Sequence, residues 1–430
     1  MMNGKDKGNS AFSIHNSELI VPEIRFNGFS GEWESRALGD SVSYIKGFAF
    51  KSNDYEAYGT RIVRVSDLAR NSLSESSSKI YINNNKANLY SKYIINDGDI
   101  VITTVGSKAE MRESAVGRAI IFTKNEGHLL NQNLVKVTPT INNDSQFIYD
   151  QLLRERYANF IEDIQRGNAN QANIAIGDLW EYSLNFPKVK EEQNQIGNYF
   201  QKLDSLINQH QQKHEKLSNI KKAMLELMFP KQGENIPEIR FKGFSGEWEE
   251  VRIGDMVNCF SGGTPLVGIE EYYKGDIPFI RSAEINKTST ELRISESGLK
   301  NSSAKIVEVG TVLYALYGAT SGEVGRARLR GAINQAILAI IPKDEMCPEF
   351  LSHWFRKSKG SIVNTYLQGG QGNLSGDIVK NLVLRLPELK EQTAIGNYFQ
   401  KLDTLINQHQ QQITKLNNIK QACLSKMFAG

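Results

Sequence analysis

Apolar residues recur at helical spacing along two long stretches of the chain, residues 196–227 and 395–426. Their steps alternate between three and four residues, which is the heptad pattern of a helix that packs along another helix. A helix of roughly 33 residues would be about 50 Å long, so each stretch predicts a spacer as well as a packing surface. The expected seam residues are Leu203, Leu206, His210, Leu217 and Ile220 in the first stretch and Leu402, Leu405, His409, Leu416 and Ile419 in the second.

Neither predicted helix can bury its apolar seam alone, so the simplest partner of each is the other. If the two helices pack antiparallel, the second one returns the chain to its own beginning. This arrangement would close the chain into a pseudo-twofold ring. Two independent helices, each buried in a separate core, are the alternative.

The segments that precede the two helices show shorter patterns typical of mixed domains. Apolar runs entered through glycine-containing turns predict strands, and longer runs with apolar residues at helical spacing predict helices. The predicted strands are residues 100–105, 134–137, 311–316 and 337–341, and the predicted shorter helices are residues 147–164 and 350–366. Each segment is therefore predicted to be a compact α+β domain.

The chain also contains an internal duplication. Residues 21–26 (Val-Pro-Glu-Ile-Arg-Phe) return as 236–241 (Ile-Pro-Glu-Ile-Arg-Phe), and residues 196–204 return unchanged as 395–403. Between these blocks, matching anchors recur at separations that shrink along the chain. The anchor pairs include Trp33 and Trp248, Gly98 and Gly310, Asn131 and Asn334, and Pro187 and Pro387. Changing separations predict homologous domains that differ by loop insertions and deletions.

The duplication divides the chain into a series of predicted domains. They are an N-terminal tail (1–20), a first head (21–190), a first spacer helix (191–230), a linker with a second head (231–389) and a second spacer helix (390–430). The blocks before the heads and the spacer helices after them are nearly constant, whereas the two heads have diverged. This pattern favours one architecture that recognises two different targets.

Composition narrows the class of protein without identifying a function. A chain of 430 residues has room for two to four domains. The first ten residues lack the apolar run of a signal peptide, and no apolar stretch approaches a membrane span. Three widely spaced cysteines suggest neither disulfides nor a zinc site, so we expect a cytoplasmic protein. The net charge of +3 neither requires nor excludes nucleic acid.

Motifs of known catalytic chemistry are absent from the sequence. The glycine-rich runs 167–171 and 369–376 lack the ending of a phosphate-binding loop, and no nucleophile elbow or HExxH helix occurs. His210 and His214 have the spacing of metal ligands, but Ile413 replaces the second histidine in the other copy. Packing along the seam explains the pair better, so we expect neither catalytic residues nor a metal.

Loops at equivalent positions of the two heads carry side chains suited to nucleic acid. Amide and guanidinium groups read base edges, and hydroxyl groups bind phosphates. The candidates in the first head are Lys46, Lys51, Arg64, Thr103, Thr104, Lys108, Arg112, Arg166, Asn168, Asn170 and Gln171. Those in the second head are Thr264, Arg281, Tyr317, Thr320, Ser321, Gln368, Gln371, Asn373 and Ser375. Ordinary turn chemistry explains any single loop, and only the joint recurrence with changed residues favours DNA.

Among these candidates, Asn168, Gln171, Gln371 and Asn373 are the strongest expected base readers. Arg64, within residues 62–65 (Ile-Val-Arg-Val), and Arg281, within residues 279–282 (Phe-Ile-Arg-Ser), lie at equivalent positions of the two copies. Their guanidinium groups face either the domain core or a phosphate.

Three sets of motifs resemble one known family. They are residues 187–193 and 386–392 ahead of each long helix, the openings 47–51 (Gly-Phe-Ala-Phe-Lys) and 262–265 (Gly-Gly-Thr-Pro), and residues 371–375 (Gln-Gly-Asn-Leu-Ser). In this order and duplication the chain resembles the specificity subunit of a type I restriction–modification system along its whole length beyond the tail. One departure is Glu191-Glu192 in the first copy, where the second has only Glu391, to which we assign no functional weight.

The resemblance implies an α+β fold with two homologous target-recognition domains, joined by two long antiparallel helices in a pseudo-twofold, circular arrangement. Each domain would read one half of a split site in double-stranded DNA. The helices would dock two adenine methyltransferase subunits that bind S-adenosylmethionine, and two translocase-nuclease subunits using ATP and Mg²⁺ would complete the complex. This chain itself would bind no cofactor and would not be an enzyme.

Two other classes of function remain as alternatives. The first is a two-headed scaffold whose loops bind proteins and not DNA. The second is a self-contained nuclease or methyltransferase, which is disfavoured because the sequence shows no cofactor loop.

Overall fold

A computed structural model of the chain describes residues 20–69, 73–74, 78–109, 116–124, 126–168, 171–367 and 373–430. The chain folds as two compact units. The first unit comprises residues up to 209 together with 412–430, and the second comprises residues 210–411. Each unit therefore contains one predicted head and one part of each long helix.

The first unit combines strands with short helices. Its strands are β1 (Glu34–Ala37), β2 (Val42–Lys46), β3 (Tyr55–Glu56), β4 (Thr60–Val63), β5 (Ile80–Ile82), β6 (Ile100–Thr103), β7 (Val105–Gly106), β8 (Ala119–Ile121), β9 (Leu129–Leu130), β10 (Leu134–Pro139), β11 (Arg166–Asn168), β12 (Gln171–Asn173) and β13 (Ser183–Phe186). Its helices are α1 (Leu38–Ser41), α2 (Asn84–Ala87), α3 (Ser145–Gln151), α4 (Glu155–Ile164) and α5 (Ile176–Trp180), with 3₁₀ turns at Ser52–Asp54, Val65–Asp67 and Asn88–Tyr93.

The two long helices are α6 (Lys190–Leu227) and α11 (Leu389–Lys426). The remaining strands of the second unit are β14 (Glu249–Arg252), β15 (Val257–Ser261), β16 (Ile277–Ile280), β17 (Leu292–Ile294), β18 (Lys305–Val307), β19 (Val312–Ala315), β20 (Val324–Arg326), β21 (Gly331–Ile333), β22 (Ile337–Pro342) and β23 (Val383–Leu386). Its other helices are α7 (Ile253–Met256), α8 (Glu296–Lys300), α9 (Pro348–Leu367) and α10 (Gly376–Asn381), with 3₁₀ turns at Glu270–Tyr273 and Ser282–Glu284.

The sheets of the two units share most of their topology; among the described strands, β3 and the β11-β12-β7 sheet in the first unit and β18 in the second have no counterpart. The central sheet has the order β2-β10-β6-β8 in the first unit and β15-β22-β19-β20 in the second. Beside it, β4 lies between β5 and the parallel strand β9, as β16 lies between β17 and the parallel strand β21. The short pairs β1-β13 and β14-β23 also correspond. The predicted homology of the two heads is therefore visible in their strand order.

The strands form where the sequence supplies β-branched runs that can be buried. All four residues of β6, Ile-Val-Ile-Thr, are buried, as are all four residues of β19, Val-Leu-Tyr-Ala. Branched and aromatic side chains pack well on a pleated surface that is covered on both faces. These two strands form the centre of each α+β domain.

The helix predicted over residues 147–164 is interrupted in the structure. Helix α3 ends at Gln151, and α4 begins at Glu155 after Arg154 adopts an extended conformation. The Arg154 guanidinium donates hydrogen bonds to the carbonyl oxygens of Ala429 and Gly430. In the second unit, α9 is continuous, and Lys357 instead donates to the Pro230 carbonyl. The break accompanies this longer-range contact, which helical periodicity does not reveal.

Segments of α6 and α11 pack antiparallel within each unit. In the first unit, Lys420 Nζ lies 2.6 Å from Asp204 Oδ1, and Tyr199 contacts Cys423. In the second unit, Lys221 forms the equivalent ion pair with Asp403. Residue numbers rise along one helix as they fall along the other, so antiparallel packing is confirmed in both units. The alternative of two helices in separate cores is wrong.

The seam follows most of the prediction and differs from it at Leu206. Leu203 and Leu402 are buried as expected, and Leu217, Ile220, Leu416 and Ile419 pack against the cores. The prediction of Leu206 as a seam residue is wrong, because Leu206 is 43% exposed and Ile207 is buried in its place. Phe200 and Ile207 continue the seam from Ile196, since steps of four and three fit the helix as well as steps of three and four. Leu405 is half-buried.

The remaining seam histidines meet each other in the second unit. His210 Nδ1 lies 2.9 Å from His409 Nδ1, so one ring donates a hydrogen bond to the other. Burial, with smaller contributions from His210, Lys213 and His214, lowers the pKa of His409. Within the described ranges, no group of three or more potential metal ligands occurs. The contact explains these histidines as packing residues.

Each long helix is joined to its unit by a buried ion pair. Arg25 donates two hydrogen bonds of 2.7 Å to the carboxylate of Glu192, which is fully buried at the start of α6. In the second unit, Arg240 donates to Glu391 at 2.7 and 2.6 Å. The duplicated Arg-Phe motif therefore holds the beginning of each helix. Glu192 and Glu391 are therefore equivalent, and the departure between the copies lies at Glu191, where the second copy has Lys390.

The beginning and the last part of the sequence meet in the first unit. Ile24 N donates a hydrogen bond of 2.9 Å to the carbonyl oxygen of Lys426. In the second unit, Ile239 N donates to Leu227 O at the same distance, between residues connected by a short link. The same backbone hydrogen bond therefore forms in both units, as the predicted circular arrangement of the chain requires.

One equivalent position carries opposite chemistry in the two units. Asp150 and His353 each lie three residues after the aromatic residue that packs on Phe428 or Phe229. Burial raises the pKa of the Asp150 carboxyl well above its usual value. Burial, followed by the charge of Arg356, lowers the pKa of His353 to about 3. We therefore expect these two groups to contribute oppositely to the stability of their units in acid.

Lowering the pH from 7 to 5 should destabilise the second unit, because unfolded His353 binds a proton near pH 6.5 whereas folded His353 does not. Asp150 should contribute the opposite change to the first unit, because folded Asp150 retains its proton at a pH where the unfolded carboxyl has lost it. Urea titrations with pulsed hydrogen exchange can follow the units separately. His353→Gln should reduce the loss in the second unit, and Asp150→Asn should shift the response of the first unit toward lower stability at pH 5. Unchanged pH dependence in either variant would contradict the assignment.

Candidate nucleic-acid interface

One end of the central sheet gathers several predicted contact segments in the first unit. Gly47 N donates to Leu134 O at 2.9 Å, so the exit of β2 lies beside the start of β10. Thr104 N donates to Asn133 O at 2.9 Å, and Ile174 N donates to Thr104 O at 3.0 Å. The exits of β2 and β6, the turn before β10 and the segment after β12 therefore lie together.

The second unit brings the corresponding segments together. Gly263 N donates to Ile333 O at 3.2 Å, and Leu316 N donates to Ala336 O at 2.8 Å. Leu374 N donates to Leu316 O at 2.9 Å, which places the segment before α10 at the same end of the sheet. The loops predicted to be equivalent thus occupy equivalent positions in the two units.

A close backbone approach explains the glycine that opens each recurring motif. A Cβ atom on Gly47 would lie 1.9 Å from Asn131 O, and one on Gly262 would lie 1.8 Å from Ile333 O. Any larger residue would therefore push the two segments apart. The glycine keeps the side chains that follow it close to the turn before the central strand.

The segment around residues 166–171, predicted to be a loop in the first unit, contains a β-hairpin. Strands β11 and β12 pair antiparallel, and β12 pairs in turn with β7. The exposed side chain of Asn168 accepts a hydrogen bond of 3.0 Å from Gln171 N. Arg166 is exposed and lies 2.7 Å from Asp178. The hairpin therefore presents these polar side chains from a sheet and not from a loose loop.

Eight of the predicted contact residues are exposed. They are Lys46, Lys51, Arg166, Asn168 and Gln171 in the first unit and Thr264, Asn373 and Ser375 in the second. The Ser375 hydroxyl also accepts a hydrogen bond from Ile378 N and caps α10. A role in DNA contact remains a prediction for these residues.

Three predicted contact residues are buried, so the structure gives them structural roles instead. Thr103 Oγ1 accepts a hydrogen bond of 2.9 Å from Arg118 N, between neighbouring strands of the central sheet. Thr104 is buried where its backbone joins Asn133 and Ile174. Ser321 Oγ donates to Gly318 O and closes a turn. Their hydroxyl groups in segments at equivalent positions of the two heads made them candidates, but burial prevents contact with a large ligand.

Arg64 and Arg281 face carboxylates of their own units. Arg64 Nε lies 3.1 Å from Asp67, which is completely buried, and Arg281 Nε lies 3.2 Å from Glu284. Hydrogen bonds to Glu284 and Glu291 raise the pKa of the Arg281 guanidinium. The structure therefore favours the inward-facing alternative, in which each arginine caps a short 3₁₀ turn.

The other candidates are partly buried or outside the described residues. Lys108, Tyr317 and Thr320 are half-buried, and burial raises the pKa of Tyr317. The predictions for Arg112, Asn170, Gln368 and Gln371 lie outside the described residues.

The sequence reasoning missed a glutamine at the centre of this surface. Gln335 is exposed in the turn before β22, and its Oε1 accepts a hydrogen bond of 2.5 Å from Thr264 Oγ1. Its counterpart Gln132 lies in the equivalent turn before β10. The recurring Asn-Gln pair was used only as a repeat anchor, although its amides immediately before a central strand were a usable signal.

Comparison with known proteins gives a consistent result along the chain. The family model described as "Type I restriction modification DNA specificity domain" matches residues 30–219 and 245–418. A putative type I restriction enzyme MjaX specificity subunit of Methanocaldococcus jannaschii is 22% identical over 409 residues, covering 93% of each protein. The MjaVIII specificity subunit of the same organism is 25% identical over 198 residues, and this chain spans 45% of its length.

A solved structure supports the fold. The S subunit of a type I restriction–modification system from M. genitalium aligns with a TM-score of 0.63 at 16% identity, covering 95% of this chain and 99% of that one. This likeness concerns the fold, and the family model concerns the sequence. With two copies of the specificity domain that together span most of its length, the chain belongs to the type I restriction–modification DNA specificity family.

Proposed function

We propose that this chain reads a split sequence in double-stranded DNA, one half with each unit. The observation that carries the proposal is the pair of homologous units whose shared framework presents different polar side chains at equivalent positions. Lys46 leaves β2 in the first unit, whereas Thr264 and Gln335 occupy this end of the sheet in the second. Different amide, hydroxyl and basic groups on one framework would select different bases.

The proposal assigns base reading to the exposed amides and phosphate contact to the exposed lysines. Asn168 and Gln171 flank the tip of the β11-β12 hairpin, and Asn373 precedes the cap of α10. Lys46 and Lys51 are point charges suited to the DNA backbone. Helices α6 and α11 each contribute to both units, so they are the elements that connect the two reading surfaces.

The proposal also includes partners and location. The chain would act in the cytoplasm as a non-catalytic subunit that positions two adenine methyltransferase subunits and two restriction subunits on the split site. S-adenosylmethionine, ATP and Mg²⁺ would be bound by those partners. Among the described helices, none is long and apolar enough to cross a membrane.

Single-molecule methylome sequencing tests this function directly. A host carrying the gene with its methyltransferase partner should methylate adenine at one split motif, and a host lacking only this gene should not. A methylome without a split motif linked to the gene would contradict the proposal.

A pair of substitutions tests the assignment of one half-site to each unit. Asn168→Ala should relax base preference in one half only, and Asn373→Ala in the other half only, by roughly 1–3 kcal/mol at the affected position. Lys46→Ala serves as a matched control in the first unit, because losing a phosphate contact weakens all sequences alike. If both amide variants relaxed the same half, the division of labour would be wrong.

Ionic strength separates this proposal from a protein-binding scaffold. Phosphate contacts release counterions, so binding to duplex DNA should fall steeply as salt increases. A scaffold that does not contact DNA would show no duplex binding at any salt concentration.

A further inference from the structure

A polar pocket of about 430 Å³ lies in the first unit beside strands β4 and β5. Its walls include Thr60, Arg61, Lys79, Tyr81, Asn84 and His128. We refer to it as the Arg61 pocket. None of these six residues is among the contact residues predicted from the sequence.

Arg61 is the unusual feature of this pocket. Its side chain is 9% exposed, and neither Nε nor Nη2 has a hydrogen-bond partner within the described part of the chain. Asp67 is the nearest carboxylate, but its Oδ1 lies 3.8 Å from Arg61 Nη2. The same carboxylate accepts hydrogen bonds from Arg64 at 2.8, 3.1 and 3.3 Å. A buried guanidinium with unmatched donors is costly unless an acceptor reaches it.

The rest of the pocket is suited to an oxyanion. Lys79 adds a second cation to the wall, and Thr60, Tyr81 and Asn84 supply neutral hydrogen-bonding groups. Burial lowers the pKa of His128, whose Nε2 lies 2.9 Å from Glu126. Glu126 is 59% exposed at the rim and Asp67 is buried behind Arg61, so the Glu126 carboxylate opposes an anion as it enters.

The second unit has different chemistry at the corresponding positions. Strand register aligns Arg61, which faces Tyr81, with Pro278, which faces Arg293. His128 precedes the strand paired with Ile62, as Gly331 begins the strand paired with Phe279. Proline and glycine replace the guanidinium and the imidazole. The pocket is therefore a difference between two otherwise homologous units.

We propose that the Arg61 pocket binds a phosphate group, and that in the DNA complex this group is a backbone phosphate of the half-site read by the first unit. The planar guanidinium fork matches two oxygens of a phosphate and supplies the acceptors that its donors lack. The DNA part of the inference rests on the proposed function, whereas binding of a phosphate anion does not.

The first arm of the test uses inorganic phosphate and the full chain. Phosphate should cause a saturable change in the NMR signal of the His128 imidazole, and Arg61→Gln should abolish it. Glu126→Gln should strengthen phosphate binding, because it removes the opposing charge. A gain in affinity requires a folded pocket, so this variant remains informative if Arg61→Gln fails to fold.

The second arm measures binding to duplex DNA over a range of salt concentrations. Arg61→Gln should weaken binding roughly tenfold without changing sequence preference. It should also reduce the slope of log K against log salt by about 0.9. Glu126→Gln should tighten binding. Lys86→Ala is the matched control, since Lys86 is an exposed lysine of the same unit paired with Asp54.

The outcomes separate the possible sources of phosphate. A phosphate-dependent His128 signal together with opposite effects of the two variants on DNA supports the whole inference. The same signal with DNA binding unchanged shows a site for a free anion and overturns the DNA part. No signal, with both variants equal to Lys86→Ala, overturns the pocket itself. If the wild-type chain does not bind DNA at all, the proposed function fails. The His128 signal with inorganic phosphate then still shows whether the pocket binds phosphate.

Discussion

Replacing Glu391 by alanine should destabilise the second unit by about 3–5 kcal/mol, because it leaves the largely buried Arg240 guanidinium without its counter-charge. Glu391 is 1% exposed, and both of its oxygens accept hydrogen bonds from Arg240. Glu192→Ala should have the same effect on the first unit. Hydrogen exchange measured by mass spectrometry reports the two units separately, which a single melting curve cannot do for a chain of two units.

A matched control uses an exposed ion pair of the same protein. Asp54→Ala removes the partner of Lys86, and this loss should have little effect on stability because the pair is exposed to solvent. A double replacement of Arg240 and Glu391 by methionine should recover much of the stability lost in Glu391→Ala, since an apolar pair leaves no buried charge. If Glu391→Ala were as mild as Asp54→Ala, the ion pair would not be what holds α11 to its unit.

Phe428→Ala should destabilise the first unit by about 3–5 kcal/mol, since it removes a ring from the centre of the core. Phe428 is 2% exposed, and its ring centroid lies 5.3 Å from that of Phe147 and 5.7 Å from that of Phe200. Hydrogen exchange of α3 and of the first part of α6 should accelerate together. Phe229→Ala should produce the equivalent change in the second unit, where Phe229 packs on Phe350 and Phe399.

An exposed apolar residue provides the control for these core substitutions. Leu89 is 80% exposed, and Leu89→Ala should change stability by no more than about 0.5 kcal/mol. Loss of protection in the second unit after Phe428→Ala, with the first unit unaffected, would contradict the placement of this ring.

The duplication allowed the fold to be predicted further than periodicity alone permits. Two diverged segments with shared anchors indicated two domains of one topology, and the strand orders agree. Periodicity identified both long helices, but it could not choose between Leu206 and Ile207, because both residues fit a seam that passes through Leu203 and His210. Only the position of the partner helix decides which of the two is buried.

The candidate site was less predictable for a different reason. Residue type marks Thr103 and Thr104 as possible phosphate contacts, but the neighbouring strands bury them. Arg25 and Glu192 are 167 residues apart, so no local sequence pattern predicts their ion pair. Arg61 was overlooked because its importance lies in donors that lack an acceptor, and this property exists only in three dimensions.

Ile24 and Lys426 form their backbone hydrogen bond although they are far apart in the sequence. The second unit makes the same hydrogen bond between Leu227 and Ile239, where a short peptide link joins the two partners. One unit thus reaches this geometry with the covalent link and the other without it. Local packing is therefore sufficient, and proteolytic cleavage between residues 230 and 235 should leave two fragments that remain associated in one native fold.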